Sequence, residues 1–319
     1  MNHFARTFFL ILFLIFHVDA FSADAFPSRT IRILVPGSGG GGDFAARLIA
    51  QGLAATFGQQ LVVDNRPVGV IPADIVAKSP PDGYTWLLSA STMWLSPQLQ
   101  PGVPYDPQRD FSPITLAVMS PNLLAVHPSL PVKTVKELIV LARTKPGALN
   151  YGSGAAGSSN HLSGELFKSM AGVNIVRVNY KNPSQAVTDL ISGRVHVMFY
   201  NAATVAPFVK SGKLRGLAVT SAQPSALAPQ LPTIAAAGLP GYESVATFGV
   251  FGPAKLPSNL IQQIHSEISR FINKAEIKQK FFNAGSEVVA STPEDLAVTV
   301  RTDIAKLAKL IKENGIKAD

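Results

Sequence analysis

Two stretches rich in glycine and hydroxyl residues carry the chemistry available to this sequence. The first is Val35-Pro36-Gly37-Ser38-Gly39-Gly40-Gly41-Gly42-Asp43, with five glycines among the six residues 37–42. The second is Gly152-Ser153-Gly154-Ala155-Ala156-Gly157-Ser158. Each follows a short apolar run and precedes an amphipathic one. A strand that turns through glycines into a helix leaves the first helical N–H groups unpaired and aimed outward, an arrangement that suits a phosphate or a carboxylate. Both stretches spell Gly-x-Gly-x-x-Gly, offset by 115 residues.

Several chemistries are excluded by the neighbouring residues. The first stretch matches a dinucleotide fingerprint, and Asp64 stands 22 residues after Gly42, where a ribose-binding acid would sit. The pattern recurs at Gly152, however, with Asn179-Tyr180-Lys181 and no acid after the next strand. A phosphate-binding P-loop requires Gly-Lys-Ser/Thr, and here Asp43 follows the glycines. Neither Ser153 nor Ser158 lies in a Gly-x-Ser-x-Gly nucleophile turn. The six histidines show no His-x-x-x-His spacing, and the chain has no cysteine, so neither a metal site nor thiolate chemistry is expected. What remains is a binder of small anions that needs no cofactor, not an enzyme.

The surrounding elements are those of an α/β protein. Thr30 to Val35 reads as a strand, Phe44 to Phe57 as a helix with apolar residues at helical spacing, and Leu61 to Val63 as a second strand. Tyr84 to Ser89 follows as a third strand, with Ser91-Thr92-Met93-Trp94 at its carboxyl end. Separate strands are expected near Pro113 to Ala117 and Leu123 to His127. The plan then repeats: Leu149 to Tyr151 is a strand, Ser158 to Ala171 a helix, and Val173 to Val178 a strand. Val195 to Tyr200 forms another strand ending at Asn201, and the chain closes with helices, the last over 293–314. Alternating strands and helices predict two lobes, each a mostly parallel sheet flanked by helices. Ligands lie beyond the carboxyl ends of such strands.

Candidate ligand-binding residues by that rule are Gly37, Ser38, Gly39, Gly40, Gly41, Asp43, Ser91, Thr92, Trp94, Ser153, Gly154, Ala155, Ser158, Tyr200 and Asn201. Asp43 also reads as a helix cap, Trp94 equally as a stacking platform or core filler, and His161 as a local structural hydrogen-bonding group or, alternatively, a direct ligand contact.

Composition bounds the setting. The 319 residues are 47% hydrophobic, enough for two lobes with their own cores. Arg6, an apolar run from Phe8 to Val18 and Ala23-Asp24-Ala25 read as a signal peptide cut before Phe26, which predicts a periplasmic protein. Cleavage removes one cation and two anions, so the net charge of +8 becomes +9. The basic residues are scattered and not interleaved with aromatics, which argues against nucleic-acid binding.

A family likeness spans nearly all of residues 26–319. Pro27-Ser28-Arg29-Thr30-Ile31-Arg32-Ile33-Leu34-Val35-Pro36, Asp64-Asn65-Arg66-Pro67, Pro81-Asp82-Gly83-Tyr84-Thr85 and Leu149-Asn150-Tyr151-Gly152-Ser153 resemble the substrate-binding proteins of tripartite tricarboxylate transporters, the Bug family. His161-Leu162-Ser163-Gly164-Glu165, Val178-Asn179-Tyr180-Lys181 and Gly238-Leu239-Pro240-Gly241-Tyr242 add to it. The resemblance implies a type II-like periplasmic binding protein, expected as a monomer. Its lobes would be 26–125 with 248–319, and 126–247, joined by crossings near 122–128 and 243–250. The expected ligand is a small organic carboxylate held in the cleft between the lobes, partly by the two glycine turns, and delivered to membrane permease subunits. A ligand-presenting sensor component and an exported enzyme on the same scaffold are the alternatives. The sequence departs from the family at Gly37, where a bulky Phe is common, at Val68-Gly69-Val70-Ile71, at Met93-Trp94, and at Tyr200, often Asp. These departures point away from an acidic amino acid and toward a larger or more apolar acid.

Overall fold

A computed structural model describes residues 26–67, 70–154, 156–180, 183–313 and 315–316. The expected signal peptide, 1–25, and Ala155 lie outside the described residues, as do Val68 and Gly69.

The amino-terminal part alternates strand and helix: β1 (Ile31–Pro36), α1 (Gly41–Phe57), β2 (Leu61–Arg66), α2 (Ile71–Ala77), β3 (Thr85–Ala90) and α3 (Thr92–Leu99). A long strand β4 (Phe111–Val126) follows, then α4 (Val135–Thr144), β5 (Asn150–Ser153), α5 (Ser159–Ala171), β6 (Val176–Asn179), α6 (Pro183–Ile191), β7 (Val197–Asn201), α7 (Ala202–Lys210) and β8 (Arg215–Val219). The chain ends with α8 (Ile234–Ala237), β9 (Val245–Pro253), α9 (Ser258–Ile272), α10 (Ala275–Asn283), β10 (Glu287–Val288) and α11 (Pro293–Glu313).

The strands form one curled mixed sheet in the order β2-β1-β3-β9-β4-β7-β5-β6, with β8 and β10 also paired to β4. Its outer thirds, β2-β1-β3 and β7-β5-β6, are parallel as the strand–helix alternation predicts. Its centre is antiparallel, because β9 runs opposite to both β3 and β4, and β4 runs opposite to β7 and β8. Each half therefore has a parallel flank and an antiparallel seam, where the chain passes out through β4 and back through β9.

The two short strands expected at 113–117 and 123–127 are one strand. Two prolines made it look interrupted. Pro113 lies at a register shift against β9, and Pro121 at the end of that pairing, opposite Val245. From Asn122 onward β4 pairs with β7. A residue with no N–H is tolerated where the ladder shifts or changes partner.

Buried faces follow the sequence pattern. α9 sets Ile264, Ile268 and Ile272 into the core. It also lies against α1 so closely that a side chain at Gly52 would overlap the Phe271 ring. Thr134 caps α4, accepting from Glu137 N at 3.1 Å, while the Glu137 carboxylate accepts from Lys133 N at 2.5 Å. One apolar cluster joins the halves through Leu87 and Phe251 on one side and Leu124, Tyr151 and Phe199 on the other.

Candidate ligand-binding cleft

The first glycine turn is a short loop between β1 and α1, and its shape is set by α1's own first turn. Gly37 and Gly39 have φ of 73° and 74°, in the region that favours glycine. The Asp43 carboxylate reaches back to accept from Gly39 N at 2.9 Å and from Asn65 Nδ2 at 2.9 Å, and pairs with Arg47 at 2.9 Å. Asn65, at the end of β2, also donates to the Gly37 carbonyl at 2.6 Å. Burial pushes the Asp43 carboxyl up, but the Gly39 and Asn65 donors and the Arg47 guanidinium outweigh it and hold the group below the ordinary carboxylate value. The first intrahelical bond is Phe44 N to Gly40 O, so the N–H groups of Gly41 and Gly42 have no partner within the helix.

The second turn leads from β5 into α5. Asn160 Oδ1 accepts from His161 N at 2.9 Å, from Gly154 N at 3.4 Å and from the Ser158 hydroxyl. His161 Nδ1 accepts from Gly157 N at 3.0 Å, the local structural bond expected of it. Beneath α5, Tyr151 donates to Glu165 at 2.6 Å and Lys168 pairs with the same carboxylate at 2.8 Å. Burial and that anionic partner push the Tyr151 phenol far up, so it stays a donor. The Ser159 and Asn160 N–H groups open the helix.

Both turns meet a cavity of about 700 Å³. One wall comes from Gly39, Gly40, Gly41, Phe44, Ala246, Phe248, Ala284 and Ser286; the other side is built by Gly154, Ser158, Ser159, Asn160, Tyr180, Tyr200, Asn201 and Thr204, with Ser120 and Asn122 of β4 between them. A third helix start joins the cavity, because Asn201 caps α7 through its bond from Thr204 N at 3.3 Å. The seam below is polar and buried: Ser120 and Ser286 share a hydrogen bond of 2.7 Å, and Asn122 donates to Ser163 Oγ at 3.1 Å. None of the described lining residues carries a charge.

The structure places Gly39, Gly40, Gly41, Gly154, Ser158, Tyr200 and Asn201 on this one cavity. The remaining described candidates stand elsewhere. Gly37 lies below the loop, donating to Arg66 O at 2.7 Å, and Ser38 is exposed at its tip. Asp43 is buried under the loop and serves as its brace. Ser153 is turned away, its hydroxyl accepting from Arg177 Nε at 2.8 Å. Trp94 is not a stacking platform: its side chain is fully buried, its ring lies 5.9 Å from that of Phe251, and its indole N–H donates to Asp303 at 3.1 Å. Its position one turn into α3 directs it to the core between β9 and α11. Thr92 opens α3 outside this lining, and Ser91 lines a separate cavity of about 260 Å³ with Glu243, Thr247, Asp303 and Lys306.

Phe248, Tyr180, Phe44, Ser120 and Asn122 were not among the candidates. Ser120-Pro121-Asn122 left a trace in the sequence, as a polar interruption of an apolar strand. Phe248 left none, since a Phe in an apolar strand reads as core. Asp64, the would-be ribose acid, is held by Arg32 at 2.6 Å and Arg66 at 3.0 Å outside the cavity.

Residues 45–316 match the tripartite tricarboxylate transporter family receptor. The chain belongs to this family. Among curated relatives, the receptor is 36% identical over 300 residues to a UPF0065 protein in the tcbD-tcbE intergenic region of Pseudomonas sp. strain P51, covering 93% of this chain and 89% of that protein. It is 33% identical over 301 residues to Protein BugT of Bordetella pertussis, covering 93% and 92% of the two chains. Among solved structures it is similar to R. palustris Rpa4515 with adipate, at 39% identity and a TM-score of 0.78, covering 92% of this chain and 99% of that one. The fold is that of the two-lobed periplasmic binding proteins. The receptor is accordingly a solute-binding protein of a carboxylate-binding family.

Proposed function

We propose that this receptor is exported, captures a small organic carboxylate in the cleft, and hands it to the membrane permease of a tripartite tricarboxylate transporter. The observation that carries the proposal is the meeting of three helix starts, at Gly41, Ser159 and the α7 cap Asn201, on one cavity with no charged side chain in its described lining. Helix N-termini offer fixed N–H donors and a positive dipole end to an anion. Neutral donors lose less on desolvation than a cationic side chain would. The adipate carried by the R. palustris relative supports a carboxylate ligand.

Capture needs movable lobes. The chain crosses between the proposed lobes where β4 exchanges β9 for β7, at Pro121 and Asn122, and returns at Ser244 and Val245. Small dihedral changes at these two places swing the lobes as rigid bodies.

The test is a thermal-shift panel of organic acids, with the corresponding amides as controls, on the processed protein. At about 100 times its dissociation constant a true ligand adds about 2.7 kcal/mol of stability. A carboxylate that stabilises, is returned chemically unchanged, and enters permease-containing vesicles only with the receptor present is the expected result. A panel in which no carboxylate stabilises the protein overturns the proposal.

A further inference from the structure

The cavity that would take the anion is walled by four aromatic rings. Phe248 lies over the start of α1, so close that a Cβ on Gly41 or Gly42 would stand 3.1 or 3.3 Å from its ring. Beside it Phe44 is exposed and is held edge-on to Phe281 at 5.9 Å. Across the cleft Tyr180 ties its hydroxyl to Asp189 at 2.9 Å, which leaves the ring as its contribution to the wall. Tyr200 completes the wall, and its hydroxyl has no hydrogen-bond partner among the described residues.

Two consequences follow for whatever carboxylate enters. No carboxylate side chain stands on the described lining, and the undescribed sequence neighbours of Gly154 and Tyr180, namely Ala155, Lys181 and Asn182, are not acidic. A ligand ammonium would thus be desolvated with no anionic partner. A four-carbon acid would leave the rings of a 700 Å³ cavity facing water. We infer that the receptor selects amine-free carboxylates with an extended hydrocarbon body, anchored at the helix starts and sandwiched between Phe44 with Phe248 and Tyr180 with Tyr200. Tyr200 and Phe248 are then its specificity-determining residues, Tyr200 by adding a neutral ring to a wall that holds no acid and Phe248 by covering the hydrocarbon.

The inference rests on the carboxylate-receptor reading, and one calorimetric series separates the two. Wild-type protein is titrated with succinate, glutarate, adipate, pimelate and 2-aminoadipate. Affinity should rise about fourfold for each methylene from succinate to adipate, and 2-aminoadipate should bind at least about 100-fold more weakly than adipate. Phe248→Leu should flatten the rise, and Tyr200→Asp should narrow the gap between adipate and its 2-amino derivative. Tightest binding of succinate, or 2-aminoadipate equal to adipate, overturns the inference while leaving a carboxylate receptor. Absence of binding by every acid overturns both. The wild-type series decides the matter even if neither variant folds.

Discussion

The turn between β1 and α1 is braced from within by a carboxylate, whereas the turn between β5 and α5 is braced by an amide and an imidazole. In the first, Asp43 gathers Gly39, Asn65 and Arg47. In the second, Asn160 and His161 gather Gly154, Ser158 and Gly157. The same glycine spacing thus places helix starts on one cavity by different means. The first loop has open space around its tip, since a Cβ on Gly39 or Gly40 would meet nothing within 4 Å. The second is clamped from outside, because a Cβ on Gly157 would overlap Leu99 of α3. An acid can be tolerated so close to the proposed anion site because its charge is spent on two donors and a guanidinium.

Gly157→Ala should have the largest effect. The residue has φ of 76° and no room, so left-handed strain and overpacking combine to about 3 kcal/mol of stability. Denaturant melts should show partial relief of that penalty when Leu99→Ala is added. Strict additivity of the two changes would break the contrast in clamping. Asp43→Ala comes next, at about 2 kcal/mol, because it strands the Gly39 N–H and the Asn65 amide; Asn160→Ala should cost about 1 kcal/mol. Equal costs in chemical denaturation would mean the carboxylate has no special part. Gly39→Ala has nearly the same φ as Gly157, 74°, but free space, and should cost only about 1 kcal/mol by the same melts.

The smallest effect is in the pH profile. The Asp43 carboxyl sits below its ordinary value of 3.8 in the folded chain, so its contribution is complete above that value and is lost as pH falls through the lowered one. The stability gap between wild type and Asp43→Asn should therefore hold above about pH 4 and shrink as the pH falls below it. The gap for Asn160→Ala should not follow that carboxylate profile, since Asn160 has no group that titrates. Parallel profiles in thermal melts would contradict the assignment of the brace.

Much of this organisation is written locally. Glycines before an amphipathic run announce both of those helix starts, and the end of a strand points to Tyr200 and Asn201, but the helix start that Asn201 caps was not legible there. What local pattern could not carry is the direction of side chains after the turn. Asp43 and Ser153 are polar residues in glycine loops, yet each turns to a partner 22–24 residues away, Asn65 and Arg177. Trp94 reaches Asp303, 209 residues on. The continuity of β4 was hidden by Pro113 and Pro121, whose missing N–H groups matter only once β9 and β7 are known to divide the strand between them. Phe248 and Ser286 enter the cleft through β9 and the loop before β10, elements that return from the far end of the sequence.

The account stands or falls on whether both turns grip the same anion. Amide chemical shifts of uniformly ¹⁵N-labelled protein, followed during titration with adipate, measure this residue by residue. The account predicts saturable shifts of Gly40, Gly41 and Gly42 together with Ser159 and Asn160, all fitting one dissociation constant. Shifts confined to one turn, or concentrated instead at Ser91 and Asp303 around the smaller cavity, would contradict it.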